Sequence, residues 1–219
     1  SFAGAVVSLG ALGIVTHLEL DVEPSFEVAQ TVYRGLPFRE LLEAFDDVAG
    51  LGYSVSLFTT WSDADTVDQL WLKRRLDRDP AAPSEVLGAR PSPVAMHPIA
   101  GVDPVHCTTQ LGIPGPWLDR LPHFKLEFTP SNGAELQTEY LVPRATALDA
   151  LRAVHELAPR IRPLLQVTEI RMIAADELWL SGASRTDAVG IHFTWQPDEH
   201  AVDALHARAA FDATTGSLH

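Results

Sequence analysis

The 219-residue chain has a single cysteine, Cys107, so no internal disulfide can form. That points to a reducing compartment and a cytoplasmic protein. Positive charge is scarce: 16 basic side chains stand against 29 acidic ones, a formal net charge of −13. So acidic a surface repels nucleic acid and anionic lipid and leaves a small neutral or polar ligand as the easier partner. No apolar run reaches ~18 residues, so no membrane span is expected. Metal binding is not expected either, because His97, His106, Cys107 and His123 have no recognised zinc spacing. His200 and His206 stand six apart and cannot share a metal from one helix. There is no G-x-S-x-G elbow, no G-x-G-x-x-G and no P-loop pattern. What remains is ordinary globular composition, 46% hydrophobic and 21% charged. A chain of this length makes one or two domains and buries ~70% of its unfolded surface.

The first residues, Ser1-Phe2-Ala3-Gly4-Ala5-Val6-Val7, carry neither an initiator Met nor a signal-peptide pattern. They read as the middle of a longer protein, and a targeting segment upstream would not show. Residues 1–24 form a first unit: a short helix, a glycine turn, and a strand from Ile14 to Val22 that Pro24 ends. Strands are expected at Phe26–Tyr33, Tyr53–Thr60 and Asp68–Arg75. A helix is expected where Phe38, Leu41, Leu42, Phe45 and Val48 recur at helical spacing. Residues 77–116 hold eight of the sixteen prolines and read as either a functional cover or a poorly ordered excursion.

Further on, Lys125–Thr129 and Glu135–Val142 read as strands around a turn at residues 130–133. Thr146 can cap a helix with the stripe Leu148, Leu151, Val154, Leu157 and Ile161. Strands at Leu164–Ile173 and Val189–Trp195 follow, then a helix capped by Asp198. The expected architecture is α+β: one mixed, largely antiparallel sheet with helices on one face. Residues 25–210 make the main domain and 211–219 a tail.

Period-two alternation then selects a site. Glu169 and Arg171 share one face of their strand, opposite Ile170 and Met172. Glu135, Gln137 and Glu139 share a face, as do His192 and Thr194. Side by side in one sheet, these strands would offer carboxylate, guanidinium, amide and hydroxyl groups on the face away from the helices. That set suits a ligand made mostly of hydroxyls. Each residue alone also has a plain reading, since solvated Glu–Arg pairs and wet sheet faces are common. The run Lys73-Arg74-Arg75 is most simply a solvated strand end. Gly10 and Gly13, in the Ser8–Ile14 turn, would let backbone approach a phosphate or flat ring, or simply make a tight turn.

Several segments carry a family resemblance. Phe2-Ala3-Gly4-Ala5-Val6-Val7-Ser8-Leu9-Gly10-Ala11-Leu12-Gly13-Ile14-Val15-Thr16 resembles the closing stretch of the flavin-binding domain in vanillyl-alcohol-oxidase-type flavoproteins. Tyr53–Thr59, Trp71–Arg75, Gly112–Trp117, Phe128–Ser131, Gly133–Gln137, Glu169–Arg171 and His192–Trp195 resemble the substrate domain of the alditol (xylitol) oxidase branch, relatives of the aldonolactone oxidases. The resemblance implies an FAD-dependent enzyme that oxidises the primary alcohol of a polyol to an aldehyde, with O2 as electron acceptor and H2O2 as product. It implies that Gln137, Glu169, Arg171 and Thr194 line the polyol pocket, with Glu169 and Arg171 closest to the chemistry. It also implies that Ser8, Gly10, Gly13 and Ile14 contact FAD. Residues 1–24 would then be the end of an FAD-binding domain, and the flavin-linking histidine and an active-site lysine of the family fall outside the chain. The chain alone is therefore expected to be inactive. Two alternatives stay open: an aldonolactone oxidase or dehydrogenase of the D-arabinono-1,4-lactone type, and a non-catalytic α+β ligand-binding module.

Overall fold

The computed structural model describes residues 2–63, 65–128 and 135–206. The expected turn at 130–133 and the tail at 211–219 lie outside the described residues. Among the described residues eight strands make one sheet: β1 (Glu27–Pro37), β2 (Ser54–Thr59), β3 (Thr66–Arg75), β4 (Arg90–Pro91), β5 (Gly115–Pro116), β6 (Leu136–Pro143), β7 (Leu165–Ile173) and β8 (Ala188–Trp195). Their order is β4-β1-β3-β2-β7-β8-β6, with β5 also beside β1, and every strand pair is antiparallel. The helices are α1 (Phe2–Ala5), α2 (Phe38–Glu43), α3 (Phe45–Ala49) and α4 (Ala147–Ile161), with a last helical stretch at 199–206. The fold is α+β.

Alternation puts Val55, Leu57, Leu70, Leu72, Ile170, Ile191, Phe193 and Trp195 on one face of the sheet, where α2, α3, α4 and the last helix bury them. The α4 stripe works as its spacing requires, with Leu151 and Ile161 buried and Leu148, Val154 and Leu157 packed at the rim. Asp198 caps the last helix, its carboxylate accepting from Ala201 N at 3.0 Å. Thr146 precedes α4 but makes no side-chain cap; its hydroxyl donates to Pro143 O instead. The helix expected from Phe38 is broken at Ala44 into α2 and α3. Trp61, in the turn between β2 and β3, adopts φ 55°, a strained conformation for so large a residue. Its indole donates to Thr168 Oγ1 at 2.9 Å and so ties that turn to β7.

Two expected strands do not form. From Ile14 to Val22 the chain has no regular structure, with Leu18, Leu20 and Val22 exposed. Alternation makes a strand only where another strand lies alongside to take up its N–H and C=O groups. The short helix expected over Ser1–Leu9 is confined to Phe2–Ala5, docked through Trp179 N donating to Ala3 O at 3.0 Å. In the second case, residues 125–128 carry only turn structure, because Phe124 bridges to Cys107 rather than pairing along a sheet.

The proline-rich segment is a cover. Val86 and Ala89 join the helix-side core, and β4 then rounds the β1 edge. Met96, Ile99, Cys107 and Phe124 close over Val32, Phe58, Trp71 and Val167 on the opposite face. Proline has no N–H to give, so a segment rich in it carries carbonyls in excess of donors. Sheet side chains supply the missing donors. Gln69 Nε2 donates to His97 O at 2.9 Å, Tyr33 Oη to Pro83 O at 2.7 Å, and Gln30 Nε2 to Thr108 O at 3.4 Å. Within the cover, Gln110 closes a two-way amide pair with the Met96 backbone at 2.7 and 2.8 Å. Among the described residues no helix is long and apolar enough to cross a membrane.

Candidate functional site

The face away from the helices is divided between two environments. Over β1, β3 and β2 the cover buries Gln30, Gln69, Trp71 and Lys73. Over β8 and β6 that face is more open. The four residues picked from alternation meet at the boundary and on the open side. Register places Glu169 beside His192, His192 beside Glu139, and Thr194 beside Gln137. Glu169 is buried, Arg171, His192 and Thr194 are half-buried or nearly so, and Gln137 and Glu139 face solvent.

Arg171 links the two carboxylates: Nη2 lies 3.2 Å from Glu169 Oε2, and Nε lies 3.3 Å from Glu139 Oε1. Gly190, between them on β8, makes this crossing possible. A Cβ there would stand 2.9 Å from Glu139 Oε1 and 3.2 Å from Arg171 Cγ. Arg171 Nε is buried, and it meets Glu139 as an ion pair without hydrogen-bond geometry. Thr194 Oγ1 and His192 Nε2 lie 3.5 Å apart.

The plain reading of a solvated Glu–Arg pair does not hold at Glu169, which is buried where the cover reaches it. His123 brings Nε2 to 3.0 Å from Glu169 Oε1, and its ring stands edge-on to Trp71 and Phe58 with centroids 5.3 and 5.5 Å away. Burial alone would raise the Glu169 pKa. Burial is the largest single influence, but the hydrogen bond and charge of His123, the Arg171 charge and the Ser56 hydroxyl together outweigh it, and the carboxyl is held at about 2. Burial lowers the pKa of both His123 and His192, and in each case Arg171 adds to the effect. The site at neutral pH is therefore an ionised carboxylate, a guanidinium and two neutral imidazoles, beside an amide and a hydroxyl. A polar cavity of about 220 Å³ opens beside Glu169 and Arg171, lined also by Ser54, Ser56 and His123.

Lys73 overturns the solvated-strand-end reading of Lys73-Arg74-Arg75. It is 1% exposed, and its ammonium donates to the carbonyls of Leu121 and Pro122 and reaches His123 Nδ1 at 3.2 Å. Arg75 is also packed in, stacked 3.7 Å over Phe26 and held by Asp77 and Glu23. His123, Lys73 and Gly190 are participants that sequence reasoning passed over. The signal for Lys73 was available: it shares the strand phase of Trp71 and Gln69, whose side chains point under the cover.

The Ser8–Ile14 turn stands apart from this cluster. Leu9, Gly10 and Gly13 adopt φ of 52°, 77° and 119°, and the turn closes through Ala11 N donating to Ser8 O at 3.0 Å. Ile14 is exposed, and a Cβ placed on Gly10 or Gly13 would meet nothing within 4 Å. Among the described residues nothing encloses the turn at Gly10 and Gly13. Among the described residues no cluster of three or more His, Cys, Asp or Glu is arranged to hold a metal ion.

No family profile matches the chain. A curated alditol oxidase from Streptomyces sp. (strain IKD472 / FERM P-14339) is 54% identical to it over 202 residues, 92% of this chain and 47% of that relative. The chain thus spans about half the length of the relative it matches. Over nearly all of its own length, it resembles a portion of an alditol oxidase.

Proposed function

We propose that the chain is the substrate-binding half of an oxidase acting on polyols, with residues 25–210 as the substrate domain. The observation that carries this reading is the buried, ionised Glu169 paired with Arg171 at the border of an open polar face. A polyol offers a hydroxyl at each carbon, so it needs acceptors and donors in alternation. Glu169 accepts from one hydroxyl, Arg171 donates to its neighbour, and Thr194, Gln137 and His192 serve hydroxyls further along. A lactone has fewer hydroxyl protons to give to a carboxylate, so Glu169 favours the polyol. Each hydroxyl left without a partner in such a pocket costs ~1–3 kcal/mol, which lets the site select by hydroxyl pattern.

Whether a flavin fits is decided separately for each part of the chain. Ser8, Gly10, Gly13 and Ile14 form an exposed turn that provides at most one wall, so other residues must enclose the cofactor. Arg171, half-buried at the border of the open face, brings a fixed positive charge that would suit the electron-rich edge of such a ring system. A bound FAD would supply the acceptor for the electron pair that leaves the alcohol carbon, with O2 as final acceptor and H2O2 as product. In the same reading residues 1–24 end an FAD-binding domain, whose sheet would pair the exposed Leu18, Leu20 and Val22 stretch.

The test is to express the complete protein that carries this chain, record its visible spectrum, and assay peroxide formation from xylitol and other alditols. A flavin spectrum with alditol-dependent peroxide is expected, while the 219-residue chain alone is expected to be colourless and inactive. A complete protein without flavin, or one inert toward every alditol, overturns the reading.

A further inference from the structure

The polyol reading uses Glu169 but leaves unexplained why a histidine and a buried lysine stand behind it. Lys73 Nζ has three neighbours: the carbonyls of Leu121 and Pro122, the latter at 3.1 Å, and His123 Nδ1 at 3.2 Å. Three acceptors match the three protons of an ammonium. While Lys73 is an ammonium its third proton is directed at Nδ1, which makes Nδ1 the acceptor and leaves the ring proton on Nε2, the nitrogen 3.0 Å from Glu169 Oε1. We propose that Lys73 and His123 hold a single proton on the line between Nζ and Nδ1, making His123 a neutral Nε2–H donor that positions Glu169 as an anion facing the substrate. The proposal deepens the polyol-binding reading and rests on it.

The physical case is one of competition. A histidine touching a buried carboxylate would ordinarily gain a second proton and form an ion pair, cancelling the charge the substrate hydroxyl needs. Here Nδ1 is already occupied by a donor, and a second proton would have to displace it. The groups facing His123 are Lys73 from β3, Glu169 and Arg171 from β7, and the uncharged rings of Trp71 and Phe58. Two of the three charges are positive, which also opposes imidazolium. Burial lowers the Lys73 pKa to about 7, with Glu169 and Cys107 opposing, so the ammonium is charged over the range where an ordinary histidine takes up its proton. Glu169 Oε1 is then engaged by His123 and Oε2 by Arg171, with the Ser56 hydroxyl also bonded to the carboxylate, and the remaining acceptor capacity is left to the substrate.

Nitrogen-15 spectra of the histidine rings in the 219-residue chain test the proton's place. His123 is expected to remain the neutral Nε2–H tautomer at about pH 6, where free histidine is largely protonated. In Lys73→Met it should become imidazolium at that pH. In the complete oxidase, Lys73→Met should raise the acid limb of the kcat/KM profile for xylitol. His123→Ala should lower kcat/KM at least tenfold, mostly through KM, and His123→Gln, which restores a donor to Oε1, should recover most of that loss. A wild-type His123 that titrates as an ordinary histidine, or that carries its proton on Nδ1, overturns the proposal without any variant having to fold. So does a Lys73→Met protein in which both spectrum and acid limb are unchanged. A wild-type oxidase inert toward xylitol would instead sink the polyol reading, while the ring spectra would still decide where the proton sits.

Discussion

The two halves of the sheet face away from the helices follow the same alternation and have opposite fates. On β3, Gln69, Trp71 and Lys73 point under the proline-rich cover and are buried. On β6 and β8, Gln137, Glu139, His192 and Thr194 occupy the same phase and stay partly or wholly accessible. The difference lies in what lies above them, which is a property of the chain between β3 and β6. The covered half spends its polar groups on closing the carbonyl excess of the cover. The open half keeps its polar groups available for a ligand. Glu169 sits on the border, bonded to the cover through His123 and to the open side through Arg171.

Substitutions can break this contrast from either side. The largest effect is expected on the covered half, at Trp71. The side chain is fully buried, and its Nε1 donates to Gln69 Oε1 at 2.8 Å. Trp71→Ala should cost ~3–5 kcal/mol of stability, read by denaturant unfolding, because the cavity left under the cover cannot collapse fully. A loss under about 1 kcal/mol would show that the cover packs loosely and that the two halves differ less than their geometry implies.

On the border, Arg171→Ala and Glu169→Ala in the complete oxidase should each lower kcat/KM for polyols at least ~100-fold, about 3 kcal/mol. Removing one partner leaves the other charge uncompensated, which is why these exceed the neutral positions. Gln137→Ala and Thr194→Ala, on the open half, should each lose less than about tenfold, a single neutral hydrogen bond. Flavin content should survive all four. Near-normal kcat/KM in Arg171→Ala together with a fall in melting temperature would reduce the pair to a structural ion bridge.

The pH dependence of stability separates the halves again. A buried group whose folded pKa lies below its unfolded value takes up its proton in the unfolded state first, so stability rises with pH between the two values. For Lys73 that window runs from about 7 up to the ordinary lysine value of 10.5. Stability should therefore rise by about 2 kcal/mol between about pH 7 and about pH 8.5, and Lys73→Met should remove that slope. Glu169 acts at the other end: its stabilising effect is present above the ordinary glutamate value of 4.5 and is lost as pH falls towards about 2. A flat profile above pH 7 in the wild type would mean that water reaches Lys73 beneath the cover.

The smallest effect is expected at Cys107. Burial pushes the thiol up to about 11, with Lys125 and Lys73 opposing, so little thiolate exists near neutrality. Cys107→Ser should leave oxidase activity within about threefold, less than ~1 kcal/mol. Rapid thiol labelling of the native chain would show that the cover opens.

Much of this was legible in the residues. Hydrophobic alternation located all six long strands among the described residues, the stripe in α4 and the side of the sheet that bears Glu169, Arg171, Gln137 and Thr194, because side-chain direction in a strand depends only on parity. The sequence reading also named strands at Ile14–Val22 and Lys125–Thr129, and neither 14–22 nor 125–128 is one, because a strand needs a neighbour and a local pattern does not supply it. Tertiary structure alone decided which half of the polar face would be closed. It brought His123 to Glu169 across 46 residues and buried Lys73 among carbonyls that prolines leave without donors. Those contacts depend on where a long irregular segment returns to the sheet. No local pattern encodes that return, since it is settled by burying Met96, Cys107 and Phe124 against Trp71 and Phe58.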